Sequence, residues 1–208
     1  SSKFIDMKII ELIMDDTDVY GVDAMSLVES PAIGEHFITL AKQEQVEVVR
    51  FAADKKRKVL LGAALIPNLP IYRNDEKHGD FYVFMSKETV RKSAERYLRL
   101  GLQHETTLEH ESKLSGCAVI ESWIKEGEHD KTMNFGMDLP DGTWVIAMQA
   151  SDEVWDEYIE TGKVKGFSIE AGYVDRMKVK QSEDLELTEL TEMVENLEEL
   201  VIKAQSSL

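Results

Sequence analysis

The stretch that decides the fold is residues 143–171, TWVIAMQASDEVWDEYIETGKVKGFSIEA. Its opening run, residues 143–150, is apolar and rich in aromatic and β-branched residues, which predicts a strand. Ser151 then reads as a helix cap, with Asp152 and Glu153 in the first turn, where the helix dipole favours acids. Val154, Trp155, Tyr158 and Ile159 make one apolar stripe, and Gly162 supplies the stop. A further strand is predicted over about residues 165–174.

Outward from this segment the same punctuation repeats. Ser86 caps a predicted helix that runs to about Leu100, with Val90, Ala94, Tyr97 and Leu98 as its apolar stripe and Gly101 as its end. Strands are predicted at residues 8–14, near 19–22, and at 46–51, 59–66, 81–85 and 113–125. The turn-prone run Asp15-Asp16-Thr17-Asp18 separates the first two, and Pro31 and Gly34 break the chain after Ser26-Leu27-Val28. Pro67 and Pro70 stiffen a connection, expected to be exposed, that runs on to Arg73. Many strands with two or three helices predict an α+β fold: a mostly antiparallel β-sheet or barrel core with helices packed outside it.

Composition narrows the function classes. The chain has 208 residues and a net charge of −16, which argues against binding phosphate backbones or anionic membranes. No apolar run reaches the ~20 residues that span a bilayer. No basic region followed by an apolar stretch comes after Ser1-Ser2-Lys3, so no signal peptide is expected there. One cysteine, Cys117, excludes an internal disulfide framework and fits a reducing compartment.

The acids are concentrated at one end. Residues 181–208 hold eight acids and one base, Lys203. Their apolar positions, Leu187, Leu190, Val194, Leu197, Val201 and Ala204, step by three and four, as in a coiled-coil seam. Two parts are therefore expected: a body over residues 1–180 and an acidic amphipathic helix over 181–208. A parallel self-coil of such acidic helices would repel itself, so docking on the body or on a basic partner helix is expected, with a solvated terminal helix as the alternative.

Chemistry-bearing motifs are few. No glycine-rich phosphate loop follows a strand, and His104 and His110 lie outside any His-Glu-x-x-His frame. The other histidines, His36, His78 and His129, are scattered, and 40 acids make any carboxylate pairing uninformative. Two stretches stand out: Thr107-Leu108-Glu109-His110-Glu111, which enters the apolar run over residues 115–124, and residues 162–171, which place Ser168 just after a helix and a glycine. A serine nucleophile needs a base, histidine is the usual one near neutral pH, and a carboxylate behind it holds its tautomer.

In order, Ser26-Leu27-Val28-Glu29-Ser30-Pro31-Ala32-Ile33, Leu65-Ile66-Pro67, Ile71-Tyr72-Arg73, His110-Glu111, Val119-Ile120-Glu121-Ser122-Trp123-Ile124, Gly142-Thr143-Trp144-Val145 and Gly166-Phe167-Ser168-Ile169-Glu170 resemble the phage prohead maturation protease family, in its XkdF-like branch. That branch is related in fold to herpesvirus assemblin, which implies a herpesvirus-protease-like core. The resemblance covers about residues 18–175. It implies a serine endopeptidase with Ser168 as nucleophile and His110 as general base. Glu121 matches the position where similar proteases carry an acid and is the expected third member, while Glu170, which shares the face of Ser168, stays open as the alternative. A second histidine, the third member in herpesvirus proteases, has no counterpart here. The arginine that often follows the serine is replaced by Ile169-Glu170, so the oxyanion donors stay unassigned.

The resemblance also implies the setting. Substrates are scaffold and capsid-protein segments and the chain's own ends, inside an immature procapsid in the bacterial cytoplasm. No cofactor, metal, nucleic acid or membrane is expected, and self-association stays open. The alternative reading is a non-catalytic capsid-assembly or head-completion module that keeps the protease fold.

Overall fold

The computed structural model describes residues 8–14, 21–29, 52–75, 79–171 and 179–180. The strand expected at 46–51, His36, His78 and the acidic segment from residue 181 onward lie outside them. The first half of the described chain gives β1 (Lys8–Leu12), β2 (Val22–Val28), β3 (Ala52–Asp54), β4 (Val59–Leu65), β5 (Ile71–Asp75), β6 (Gly79–Phe84) and α1 (Lys87–Arg99). A 3-10 turn, Leu102–His104, leads into β7 (Thr106–Leu108), β8 (Ser112–Leu114) and β9 (Cys117–Ile124). Then come a second 3-10 turn (Lys131–Phe135), β10 (Trp144–Ala150), α2 (Asp152–Val154) with a π-helical turn at Trp155–Ile159, β11 (Gly166–Ala171) and β12 (Val179–Lys180).

These strands form three four-stranded sheets, ordered β12-β1-β6-β5, β3-β4-β10-β9 and β11-β2-β7-β8. Seven of the nine described strand pairs are antiparallel; β1–β6 and β2–β7 are parallel. The α+β class and the β-rich core are thus as expected. The closed barrel is not: among the described residues each sheet is short and open, and its strands come from distant parts of the chain.

One apolar core joins the three sheets to α1 and α2. Val90, Ala94 and Tyr97 of α1 meet Leu27 of β2 and Trp144 of β10 in that cluster, and the Tyr97 and Trp144 rings pack edge to face at 5.4 Å. Burying a side chain such as Val90 or Leu27 stabilises the fold by about 1.5–3 kcal/mol. The caps act as read from sequence: Ser86 Oγ accepts from Thr89 N, and Ser151 Oγ from Val154 N. Leu98, however, is exposed, and Thr89, Ser93 and Arg96 complete the buried face of α1 instead. The connection Ile66-Pro67-Asn68-Leu69 is buried rather than exposed, because Leu69 fills a second apolar cluster and Asn68 N donates to Met85 O at 2.8 Å. The strand expected over 113–125 is split at Gly116, whose φ of 79° turns the chain beside Ser151; a Cβ there would lie 2.8 Å from the Ser151 Cβ.

One interaction fixes the start of β2. The nearly fully buried Arg96 donates to Val22 O at 2.9 Å and to Asp23 Oδ1 at 3.1 Å. Its stem lies where a Cβ on Gly21 would sit, so the glycine admits the arginine.

Candidate active site

Strand β2 lies between β11, antiparallel to it, and β7, parallel to it. The register sets Ser168 opposite Ser26, and Ser26 opposite Thr107. Paired residues on neighbouring strands project to the same face, so three hydroxyl residues form a row across the sheet. Glu170, two residues beyond Ser168, shares that face. Phe167, Ile169, Met25 and Leu27 alternate with them and point into the core. The local sequence thus explains why Ser168 stands on the far face from the core, 8% exposed.

His110 lies in the turn between β7 and β8. Glu111 N donates to Leu108 O at 3.0 Å, and the two residues inside the turn, Glu109 and His110, have φ of 50° and 60°. Left-handed backbone at two successive non-glycine residues is strained, and such strain persists only where surrounding bonds over-determine it. Three bonds to β2 and its end do so: Glu109 N to Leu27 O at 3.0 Å, His110 N to Ser26 Oγ at 3.0 Å, and Glu29 N to Glu109 Oε1 at 2.6 Å.

The His110 ring presents Nδ1 to Glu170 Oε1 at 3.5 Å, with side chains 42% and 32% exposed. The same carboxylate oxygen accepts the Thr107 hydroxyl. A chain of contacts therefore runs from Thr107 through Glu170 to His110, beside the strand that carries Ser168. No hydrogen bond joins His110 to Ser168 among the described residues.

Glu121 stands elsewhere. It sits on β9, in the sheet β3-β4-β10-β9, and pairs with Lys131, whose ammonium lies 3.6 Å over the Trp123 ring. The structure brings His110 and Glu170 together on the sheet of Ser168, and sets Glu121 in a surface pair on another sheet. Sequence reasoning missed Ser26 as part of this arrangement. Its signal was a polar residue inside the otherwise buried run Ala24-Met25-Ser26-Leu27-Val28, since a buried hydroxyl needs a partner.

Among the described residues no group of three or more His, Cys, Asp or Glu could hold a metal ion, and no helix is long and apolar enough to cross a membrane.

The family model described as "Putative phage serine protease XkdF" matches residues 45–178, a span that includes His110, Glu121, Ser168 and Glu170 but starts after β2. The phage-like element PBSX protein XkdF of Bacillus subtilis (strain 168) is 28% identical over 133 residues, 64% of this chain and 43% of the relative. The uncharacterized protein YqbD of the same strain is 28% identical over 127 residues, 61% of this chain and 35% of the relative. The chain thus spans less than half the length of these curated relatives. No solved structure matches it significantly.

Proposed function

The chain belongs to the XkdF family of phage serine proteases, and from that premise we propose that it is an endopeptidase with Ser168 as nucleophile, His110 as general base and Glu170 as the carboxylate behind the base. The observation that carries this reading is the approach of Glu170 Oε1 to His110 Nδ1 on the face that Ser168 shares. With Nδ1 turned to the carboxylate, Nε2 is the nitrogen that takes the Ser168 proton. Ser168 Oγ attacks the peptide carbonyl carbon, and His110 passes the proton to the departing amine. Water then attacks the acyl-enzyme, gives its proton to His110, and restores Ser168. Glu170 stabilises the imidazolium formed on the way, and Thr107 keeps that carboxylate oriented. The carboxylate role falls to Glu170 rather than Glu121, whose charge is engaged by Lys131.

The substrates in this reading are segments of scaffold and capsid proteins and the chain's own ends, cut inside an immature procapsid in the bacterial cytoplasm. Confinement there raises the effective substrate concentration, so modest intrinsic activity suffices. The competing reading, a capsid-assembly module that keeps the fold without turnover, is favoured by the lack of a Ser168–His110 hydrogen bond among the described residues. A serine-directed fluorophosphonate probe on the full chain separates the two. Labelling of the wild type that is lost in Ser168→Ala supports the enzyme; a folded wild type that stays unlabelled and yields no discrete products with its procapsid partners supports the module.

A further inference from the structure

Ser26 is fully buried in an inner strand of the site sheet, yet its hydroxyl is spent on the turn that carries His110. Its oxygen accepts the main-chain N–H of His110 at 3.0 Å and lies 3.5 Å from the carbonyl oxygen of Thr107. The ladder between β2 and β7 continues as far as Glu109 N bonding to Leu27 O. One residue later the chain has left the sheet, and a side chain takes over as acceptor.

That substitution has a geometric consequence. Glu109 and His110 are both left-handed, so their conformation is imposed by contacts rather than by intrinsic preference. The bonds from Glu109 N and Glu111 N hold the residues on either side, whereas the Ser26 bond grips His110 itself. Across β2 the same Ser26 is the direct partner of Ser168. One small side chain therefore links the turn with the histidine to the strand with the serine.

We propose that Ser26 is a positioning residue that holds His110 in register with Ser168. It never touches substrate: at 0% exposed it acts through the main chain of His110. The inference rests on the reading of Ser168 and His110 as nucleophile and base. It goes beyond that reading because Ser26 lies outside the segment that the family model matches. If Ser26 served packing alone, a side chain of similar size without a good acceptor would serve equally well.

The test uses fluorophosphonate labelling of the full chain, with the rate at saturating probe separated from the probe concentration at half saturation. Ser26→Ala removes the acceptor. Ser26→Cys keeps the side chain's shape at slightly larger size but offers sulfur, a weak acceptor, and covers the case in which the alanine variant does not fold. Thermal melting checks folding of each. The saturating rate is expected to fall roughly ten- to a hundredfold in Ser26→Ala, because small displacements of a catalytic group carry losses of that order. A smaller fall in the same direction is expected in Ser26→Cys, with half saturation within about twofold of wild type in both. Ser168 labelling that a folded Ser26→Cys or Ser26→Ala variant leaves at the wild-type rate overturns the inference alone. A folded wild type that stays unlabelled and yields no discrete products with its procapsid partners, or label retained in Ser168→Ala, overturns the catalytic reading and this inference with it.

Discussion

Replacing Glu170 by Gln removes one charge and leaves a carbonyl oxygen able to accept the Thr107 hydroxyl. The size of the effect follows from the 3.5 Å approach of Glu170 Oε1 to His110 Nδ1. Two unit charges near that separation attract by about 1 kcal/mol in bulk water and about 4 kcal/mol at the effective dielectric of a protein surface. Side chains 42% and 32% exposed place the pair in the lower part of that range. A stabilisation of the imidazolium of about 1 kcal/mol, the upper end for an exposed pair, corresponds to a roughly fivefold fall in turnover. In the proposed mechanism the imidazolium forms only as Ser168 gives up its proton, so the loss is expected in kcat, with KM nearly unchanged. Steady-state cleavage of a scaffold-derived peptide by wild type, Glu170→Gln and Glu121→Gln, with melting curves of all three, measures it. Glu121→Gln is expected to stay within about twofold of wild type, since Glu121 belongs to a surface pair, and such pairs contribute little. A silent Glu170→Gln beside a damaging Glu121→Gln would refute the geometric reasoning and return the third role to Glu121.

Three further outcomes are expected. His110→Ala is as damaging to turnover as Ser168→Ala, and the double variant is scarcely worse, because groups that act as a unit are not additive; kinetics on the three proteins check it. A fragment of residues 45–178 lacks β1 and β2 and with them the buried Val22, Met25, Leu27 and Val28. At about 1.5–3 kcal/mol each, those four residues are worth as much as a whole domain's net stability of about 5–15 kcal/mol, so the fragment is expected to show no cooperative melt. Finally, the hydrogen bond and charge of the buried Lys125 ammonium, with the Gly127 N–H, outweigh desolvation and hold the Asp141 carboxyl below its usual range. A depressed folded value means stability that is present above the ordinary value of about 3.9 and is lost as pH falls through the folded one. Wild type should therefore lose melting temperature more steeply than Asp141→Asn between about pH 5 and about pH 3.

How much of this was legible in the sequence depends on the reach of each signal. Ser86, Ser151, Gly101 and Gly162 bounded the helical segments correctly because caps and stops act within one turn. Strand β2 ends at Val28, where a break is expected, but it runs Val22–Val28 and shares only Val22 with the strand expected near 19–22. With neighbours on both edges and six of its seven residues buried, it shows no alternation to read. The exposed Leu98 shows the converse limit: an apolar residue at the right spacing marks a helix face only when a neighbour is there to cover it.

The site divides along the same line. Ser168 and His110 could be singled out because each sits in a recognisable local run. The choice between Glu121 and Glu170 is a matter of register, and register is not local. Glu170 meets Thr107, 63 residues away, only because β2 lies between their strands. The Arg96 clamp on Val22 and Asp23 sets where β2 begins, and the pairing of Ser26 with Ser168 and Thr107 follows from that start. A slip of β2 by one residue would turn Ser26 into the core and leave the His110 N–H without its acceptor. The strand that carries neither proposed catalytic group is therefore the one that determines whether the two can meet.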